Sequence, residues 1–376
     1  LGNVWEWCSD WYDEYSGKEE IDPTGPERGA YRVRRGGSWI SSARDVRAAN
    51  RDYWHPDIRL DDLGFRCARG QDEPGGARQA GGRAAEPGLA ERPGLLARRR
   101  EAEELTPIET GGHAAGKLPA LERAPAEAER GLVESPNGIA FPLRQEKSWR
   151  LQTDTGTLTM RTLSRPAWAE GIGRDRYGLW LTFRLGEVEQ RLRYIPPGRF
   201  MMGSPTTEAG RFDKETPHRV TLTQGFWLFD TPVTQALWTA VMEKNPSRFQ
   251  SPQRPVENVS WDECQEFIEK VNRQIPGLAL RLPTEAEWEY ACRAGTTTAT
   301  YAGDLDIRGG RNAPLLDTIA WYGGNSGVDF ELKDGWDTSD WKEMQYPRKK
   351  AGTHPVAQKP PNAWGLYDML GNVYEW

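Results

Sequence analysis

The clearest periodicity lies between Leu179 and Gly295. Apolar positions run or alternate in LWLTFRL (179–185) and again in QRLRYIP (190–196), and the two runs read as strands of a hairpin. HRVTLTQGFWLF (218–229) reads as one further strand segment. In the VTQALWTAVMEKN that follows, Leu237, Trp238, Val241 and Met242 share a helical face, with Thr234 placed as N-cap. SWDECQEFIEKVNRQI (260–275) is a clearer helix. Ser260 and Glu263 form an S-x-x-E capping box, and Trp261, Cys264, Ile268, Val271 and Ile275 follow at helical spacing. Cys264 on that stripe reads as a small core hydrophobe. RLPTEAEWEYACRAG predicts a second short helix, opened by a Thr284/Glu287 box and stopped at Gly295. Beyond Thr296 the periodicity fades, and Gly, Asn, Asp and Pro dominate 302–363, which predicts long packed loops. The pattern as a whole is α+β, with few helices, short strands and much irregular loop.

Composition divides the chain further. Residues 1–70 are aromatic and Gly-rich and end in GFRCARG; residues 71–135 are Ala, Gly, Pro, Glu and Arg with almost no aromatics. Such a segment cannot bury enough apolar surface to offset its ordering entropy, so it reads as a disordered linker, with a transient helix around Leu95–Glu104. Residues 136–189 read as a β-rich extension preceding the long segment 190–376. A second regularity frames these zones: LGNVWEW begins at Leu1 and LGNVYEW begins at Leu370, an offset of 370 − 1 = 369 residues. That is far longer than the roughly 20–50 residues of solenoid or propeller units. The expectation is a fragment of a tandem array in which each repeat is a whole domain plus a linker.

Charge and hydropathy narrow the classes. A net charge of −6 and pI near 5.6 argue against nucleic acid as a partner. No apolar run approaches the ~20 residues of a membrane span, and no signal peptide is visible, so a cytoplasmic setting is the expectation. The four cysteines (Cys8, Cys67, Cys264, Cys292) show no CxxC spacing. They allow two disulfides and equally fit a reducing compartment. His55, His113, His218 and His354 form no HxxxH or HExxH pattern, so no zinc site is indicated.

Taken together, YIPPGRFMMGS, VTLTQGFW, PVTQALW, RPVENVSWDEC, LRLPTEAEWEYACRAG, NAWGLYDMLGNVYEW, RGGSWISSARDVRAANR and LGFRCARG resemble the sulfatase-modifying-factor family, which contains the formylglycine-generating enzymes. The resemblance covers about 190–376 and then 1–70, and implies a C-type-lectin-like fold. The family order is rotated here. Residues 1–70 correspond to the C-terminal part of one domain and 190–376 to the N-terminal part of the next. The first can complete the second as a circular permutant, since a flexible linker of this size spans about 45 Å.

The resemblance also defines what chemistry to look for. Formylglycine-generating enzymes oxidise a substrate cysteine with dioxygen, using paired cysteines that bind copper(I) in the stretch after GGS. Here that stretch, residues 36–52, holds no cysteine; Ser41 stands nearest the first expected thiol, and the second position falls near Ala43 or Arg44. A neutral hydroxyl is not a soft ligand, so copper is not expected. An iron-dependent branch of the family needs an HxxxHxE-like helix, which no histidine here supplies. The resemblance further implies a structural calcium held by the Asp368 and Glu375 side chains and the Gly371 and Val373 carbonyls, the other reading being a loop closed by hydrogen bonds alone. In lectin-like relatives the segment after GGSW faces ligand, which nominates Trp39, Ser41, Arg44, Arg47, Asn50, Tyr53, Trp54 and His55, with Trp39 and Arg47 also readable as core. The expectation is a non-catalytic recognition module for a protein or small-molecule ligand, beside a neighbouring repeat of the same chain. The alternative is a formylglycine-generating oxidase or a divergent oxidoreductase of the family. A third reading is a scaffold spacing identical modules for avidity.

Overall fold

The computed structural model describes residues 3–70, 149–153, 156–160 and 165–370. The 71–135 segment and its expected helix lie outside these residues. Strands β1 (Trp5–Trp11), β2 (Glu20–Ile21), β3 (Arg32–Arg35), β4 (Arg51–Trp54), β5 (Leu63–Gly64) and β6 (Ala68–Gly70) come from the first segment. A hairpin of β7 (Trp149–Thr153) and β8 (Gly156–Met160) follows, then β9 (Gly171–Asp175), β10 (Gly178–Leu185), β11 (Val188–Ile195), β12 (Gly198–Met202), β13 (His218–Leu222), β14 (Phe226–Phe229), β15 (Leu280–Arg281), β16 (Trp336–Asp337) and β17 (Lys350–Ala351). The helices are α1 (Gln235–Met242), α2 (Trp261–Gln274), α3 (Glu285–Arg293) and α4 (Pro314–Ile319).

The hairpin read from the alternating runs is β10–β11, antiparallel from Trp180↔Arg193 to Leu185↔Val188. The helical signals also translate directly. Thr234 caps α1, and Ser260–Glu263 and Thr284–Glu287 close reciprocal capping boxes on α2 and α3. The segment 218–229 is two strands rather than one. β13 pairs with β12, while β14 pairs with β11 and β6 in another sheet. The break falls at Gly225, where a Cβ would sit 2.3 Å from the Tyr194 hydroxyl oxygen. The loop-rich 302–363 region contains two elements the periodicity did not reveal, α4 and the β16–β17 pair. Both are too short to build a periodic signal.

Segment 3–70 and segment 165–370 share their sheets. β6 lies between β14 and β15 inside a six-stranded sheet ordered β15-β6-β14-β11-β10-β9. β2 runs parallel to β13 at the edge of a three-stranded sheet. The four-stranded sheet β4-β3-β1-β5 packs α3 against β1 and β3. One core gathers Trp5, Trp7, Phe65, Cys67, Phe183, Phe229, Trp238, Cys264 and Phe267; a second gathers Cys8, Val33, Val46, Ile195, Leu228, Trp288, Cys292, Tyr322 and Met369. Each draws on both segments. β9 and β10, from the zone read as an N-terminal extension, are continuous with the main sheet. Among the described residues no helix is long and apolar enough to cross a membrane.

Candidate functional site

The segment after GGS threads between the core and the surface. Gly36 and Gly37 have φ of +94° and +73°. A Cβ on Gly36 would meet the Trp288 ring at 2.8 Å, so this turn needs glycine for both its conformation and its space. Ser38 donates its hydroxyl to Asp62 at 3.1 Å. Trp39 is fully buried; its indole N–H donates to the Asp61 carbonyl, and its ring packs on Phe249 and Trp341. Ser41 is fully buried, and its carbonyl accepts from the Gly323 N–H at 3.1 Å. Asn50 is buried and donates to the Asp45 carbonyl. Arg47 is buried between Glu208 at 2.7 Å and Glu215 at 2.6 Å. The Arg47 guanidinium holds the Glu215 carboxyl below its usual range despite burial.

Four of the eight nominated residues therefore sit inside the fold: Trp39, Ser41, Arg47 and Asn50. The other four reach solvent. Arg44 lies 3.9 Å from the Phe212 ring centroid, and the exposed His55 ring meets Asp57 at 2.5 Å. Tyr53 and Trp54 end the edge strand β4 at 37% and 38% exposure, among the most open large apolar side chains of the structure. Tyr53 packs 3.9 Å from Tyr12 and 5.2 Å from Tyr31, while Arg34 lies between the Trp5 and Trp54 rings. Tyr12, Tyr31 and Lys214, whose ammonium stands 6.0 Å from the Tyr53 ring, escaped the sequence reading. The β3–β4 pairing, Val33↔Tyr53 and Arg32↔Trp54, brings Tyr31 and Tyr53 close, and only an alternation across two strands could have hinted at it.

Beneath this patch lies a chain of buried ion pairs. Arg51 takes both Glu285 carboxylate oxygens at 2.8 and 2.7 Å, and Arg35 bonds Glu285 and Glu289. The two arginines hold the Glu285 carboxyl below its usual range against the opposing effect of burial. These arginines stand on β3 and at β4, and the glutamates on α3, so the pairs bolt the two segments together.

All four cysteines are free and fully buried. That settles the open choice between disulfides and thiols. Burial pushes every one of these thiols up, away from the thiolate that metal binding and nucleophilic attack require. Cys67 and Cys264 lie in one core and Cys8 and Cys292 in the other. Of the expected calcium ligands, Gly371, Val373 and Glu375 lie outside the described residues. Asp368 accepts from the Ala357 N–H, and its carbonyl takes a hydrogen bond from Arg66. Glu6, the counterpart of Glu375 in the first LGNVWEW, is held by both Arg66 at 2.6 Å and the Trp288 indole at 2.8 Å. Arg66 thus takes the Glu6 carboxylate and the Asp368 main-chain carbonyl, and of the four expected calcium ligands only Asp368 falls among the described residues. Among the described residues no group of three or more His, Cys, Asp or Glu side chains could hold a metal.

Among the cavities that open on the surface, one of about 610 Å³ is lined by Arg32, Phe226, Trp261, Arg281 and Glu287 among others. Its cations are engaged: Arg281 pairs with Glu287 at 2.6 Å, and Arg32 lies between the Trp11 and Trp261 rings. A second cavity, around His354, is lined by residues of the 165–370 segment alone, whereas both segments line the first.

A family model for the sulfatase-modifying factor enzyme 1-like domain matches residues 1–71 and 186–376. The chaperone protein LppX of Paenibacillus barcinonensis is 33% identical over 187 residues, 40% of this chain and 61% of that protein. The formylglycine-generating enzyme of Thermomonospora curvata is 28% identical over 273 residues, 68% of this chain and 73% of that enzyme. The one from Mycobacterium tuberculosis is 44% identical over 101 residues, 26% of each chain. Among solved structures, Treponema denticola variable protein 1 shares 28% identity, with a TM-score of 0.37 over 52% of this chain and 75% of that one. The chain spans about three fifths of the length of the chaperone it matches.

Proposed function

From the premise that this chain belongs to the sulfatase-modifying factor enzyme 1-like domain family, we propose that it works as a recognition module rather than as an oxidase. The observation that carries this reading is the burial of all four thiols in two separate cores, with no cysteine in the segment after GGS. Copper(I) chemistry needs two accessible soft ligands, and a buried neutral thiol is not one. Just beyond that segment, Tyr53 and Trp54 are exposed, with Tyr31 and the Lys214 ammonium beside the Tyr53 ring, residue types that anchor interfaces at modest entropic cost. A relative named as a chaperone is in keeping with a protein-binding role.

The likeness to formylglycine-generating enzymes favours the competing oxidase reading, and one experiment separates the two. The protein is incubated with a Cys-x-Pro-x-Arg peptide under oxygen, with and without copper(I), and aldehyde is measured by hydrazone formation. The expected result is no aldehyde above the protein-free control. Turnover above that control would establish the oxidase.

A further inference from the structure

The second cavity, about 550 Å³, is lined by Arg254, Trp321, His354 and Lys359, with Asp329 and Glu331 at its mouth. Several of its polar atoms lack protein partners. The Arg254 side chain is 1% exposed, yet its Nε and Nη1 make no hydrogen bond. Its remaining ionic contact is to Glu331 at 3.7 Å, too long for a hydrogen bond, and that carboxylate is 74% exposed. Burial lowers the Arg254 guanidinium below its ordinary range, as expected for a cation removed from water with one loose partner. The Trp321 indole N–H is also buried without an acceptor. Trp321 stacks on His354 at 3.7 Å, and the Lys359 ammonium lies 4.1 Å from the same ring. The hydroxyls of Ser326 and Thr353, which flank His354 through its hydrogen bond and its chain neighbour, are likewise unpaired. His354 adds no charge, because burial depresses its ring to about 3. Backbone bonds hold the parts still: the Gln235 N–H donates to the Arg254 carbonyl, and the His354 N–H donates to Asn3.

A buried, under-bonded guanidinium beside an open cavity is costly unless an anion completes it. The geometry points to a carboxylate-binding site, in which the ligand carboxylate accepts from the end of the Arg254 guanidinium, the unpartnered Nη1 and the Nη2 that has only the loose contact to Glu331, with the Trp321 indole and the Lys359 ammonium, which already donates to the Asp317 carbonyl, as further donors. The planar guanidinium fork matches a carboxylate. The exposed carboxylates of Asp329 and Glu331 at the mouth repel a dianion such as phosphate more than a monoanion. The cavity has the size of a small-molecule or terminal-residue site.

The test is calorimetric titration of the full chain with N-acetylglycine, N-acetylglycinamide, inorganic phosphate and a short peptide with a free or amidated C-terminus. N-acetylglycine is expected to bind saturably in the roughly millimolar range or tighter. N-acetylglycinamide, which lacks the carboxylate, is expected not to bind, and phosphate to bind more weakly. Arg254→Gln is expected to weaken N-acetylglycine binding about tenfold or more. Trp321→Phe, which keeps the ring and removes the N–H, is expected to weaken it several-fold, and Lys214→Ala to leave it unchanged. If Arg254→Gln does not fold by circular dichroism, Trp321→Phe and Lys359→Ala decide. Tighter binding of the free-terminus peptide, lost on amidation, assigns the carboxylate to a chain end; binding of N-acetylglycine alone assigns it to a small molecule, and both uphold the site. Absence of saturable carboxylate binding, equal binding by the variants, or phosphate binding as tightly as N-acetylglycine would overturn it.

Discussion

At the residue scale, the buried acids set how this fold answers to pH. Glu257 is fully buried, accepts from the Phe249 N–H, and is pushed up to about 9 by loss of solvent; Asp10, at the N-terminus of α3, is pushed up to about 7 for the same reason. Between its ordinary value of 4.5 and about 9, Glu257 keeps its proton when folded and releases it on unfolding. Stability from this group is therefore present at low pH and falls by about 1.4 kcal/mol per pH unit as pH rises through that window. Glu215, Glu285 and Asp52 act in the opposite sense. Their arginine partners hold them low, so their contribution is present above the unfolded values and lost in acid. Thermal melting followed from pH 5 to pH 8 is expected to show a falling midpoint in the natural protein and a flatter curve in Glu257→Gln, with the variant the more stable at pH 8. Parallel curves would refute the assignment.

At the element scale, the short strands depend on close backbone approach rather than on length. β5 is two residues long and pairs in parallel with β1 through Glu6↔Gly64. A Cβ on Gly64 would lie 2.4 Å from the Val256 carbonyl oxygen and 3.0 Å from Val4. Neither neighbour is the free end of a flexible side chain, so Gly64→Ala is expected to cost about 2–3 kcal/mol. For a fold of this size that is a drop of about 5–10 °C in melting temperature. Gly70→Ala, in β6, is the control: nothing stands within 4 Å of its Cβ position, and the change is expected to stay within about 0.5 kcal/mol. Equal melting temperatures for the two variants would show that β5 tolerates displacement. The same dependence explains why β14 could not be separated from β13 by pattern. Their apolar positions form one run, and the break at Gly225 exists because the Tyr194 ring comes from β11 to fill the space.

At the scale of the whole molecule, the two described segments make one structure. Removing 3–70 would strip β6 from between β14 and β15 and leave Glu285 and Glu289 buried without Arg35 and Arg51. Breaking a buried pair in this way costs about 3–5 kcal/mol per lost partner. A specific protease site inserted between residues 71 and 148 tests this. After cleavage the two pieces are expected to elute together from a sizing column in native buffer and to separate in denaturant. Deletion of residues 1–70 is expected to give an aggregating product. Separation of the cleaved pieces in native buffer would show that the shared sheets contribute little.

The sequence by itself determined the strongly patterned local elements and the family. Capping boxes at Ser260 and Thr284, the helical stripe of α2 and the alternation of β10 and β11 are short-range signals, and each is carried by residues three or four places apart or by period two. The same is true of the missing thiols after GGS, which are a matter of residue identity. Only the tertiary structure decided which side chains face ligand. Trp39, Arg47 and Asn50 belong to types that recognise ligands well, yet the fold encloses them, because their partners (Asp61, Glu215 and Glu208, Asp45) arrive from turns and segments up to 168 residues away. Arg254 and Trp321 carry no motif at all. Their donors are orphaned only because chain folding places His354 and Lys359 beside them and brings no acceptor, and burial without a partner cannot be read from spacing along a chain.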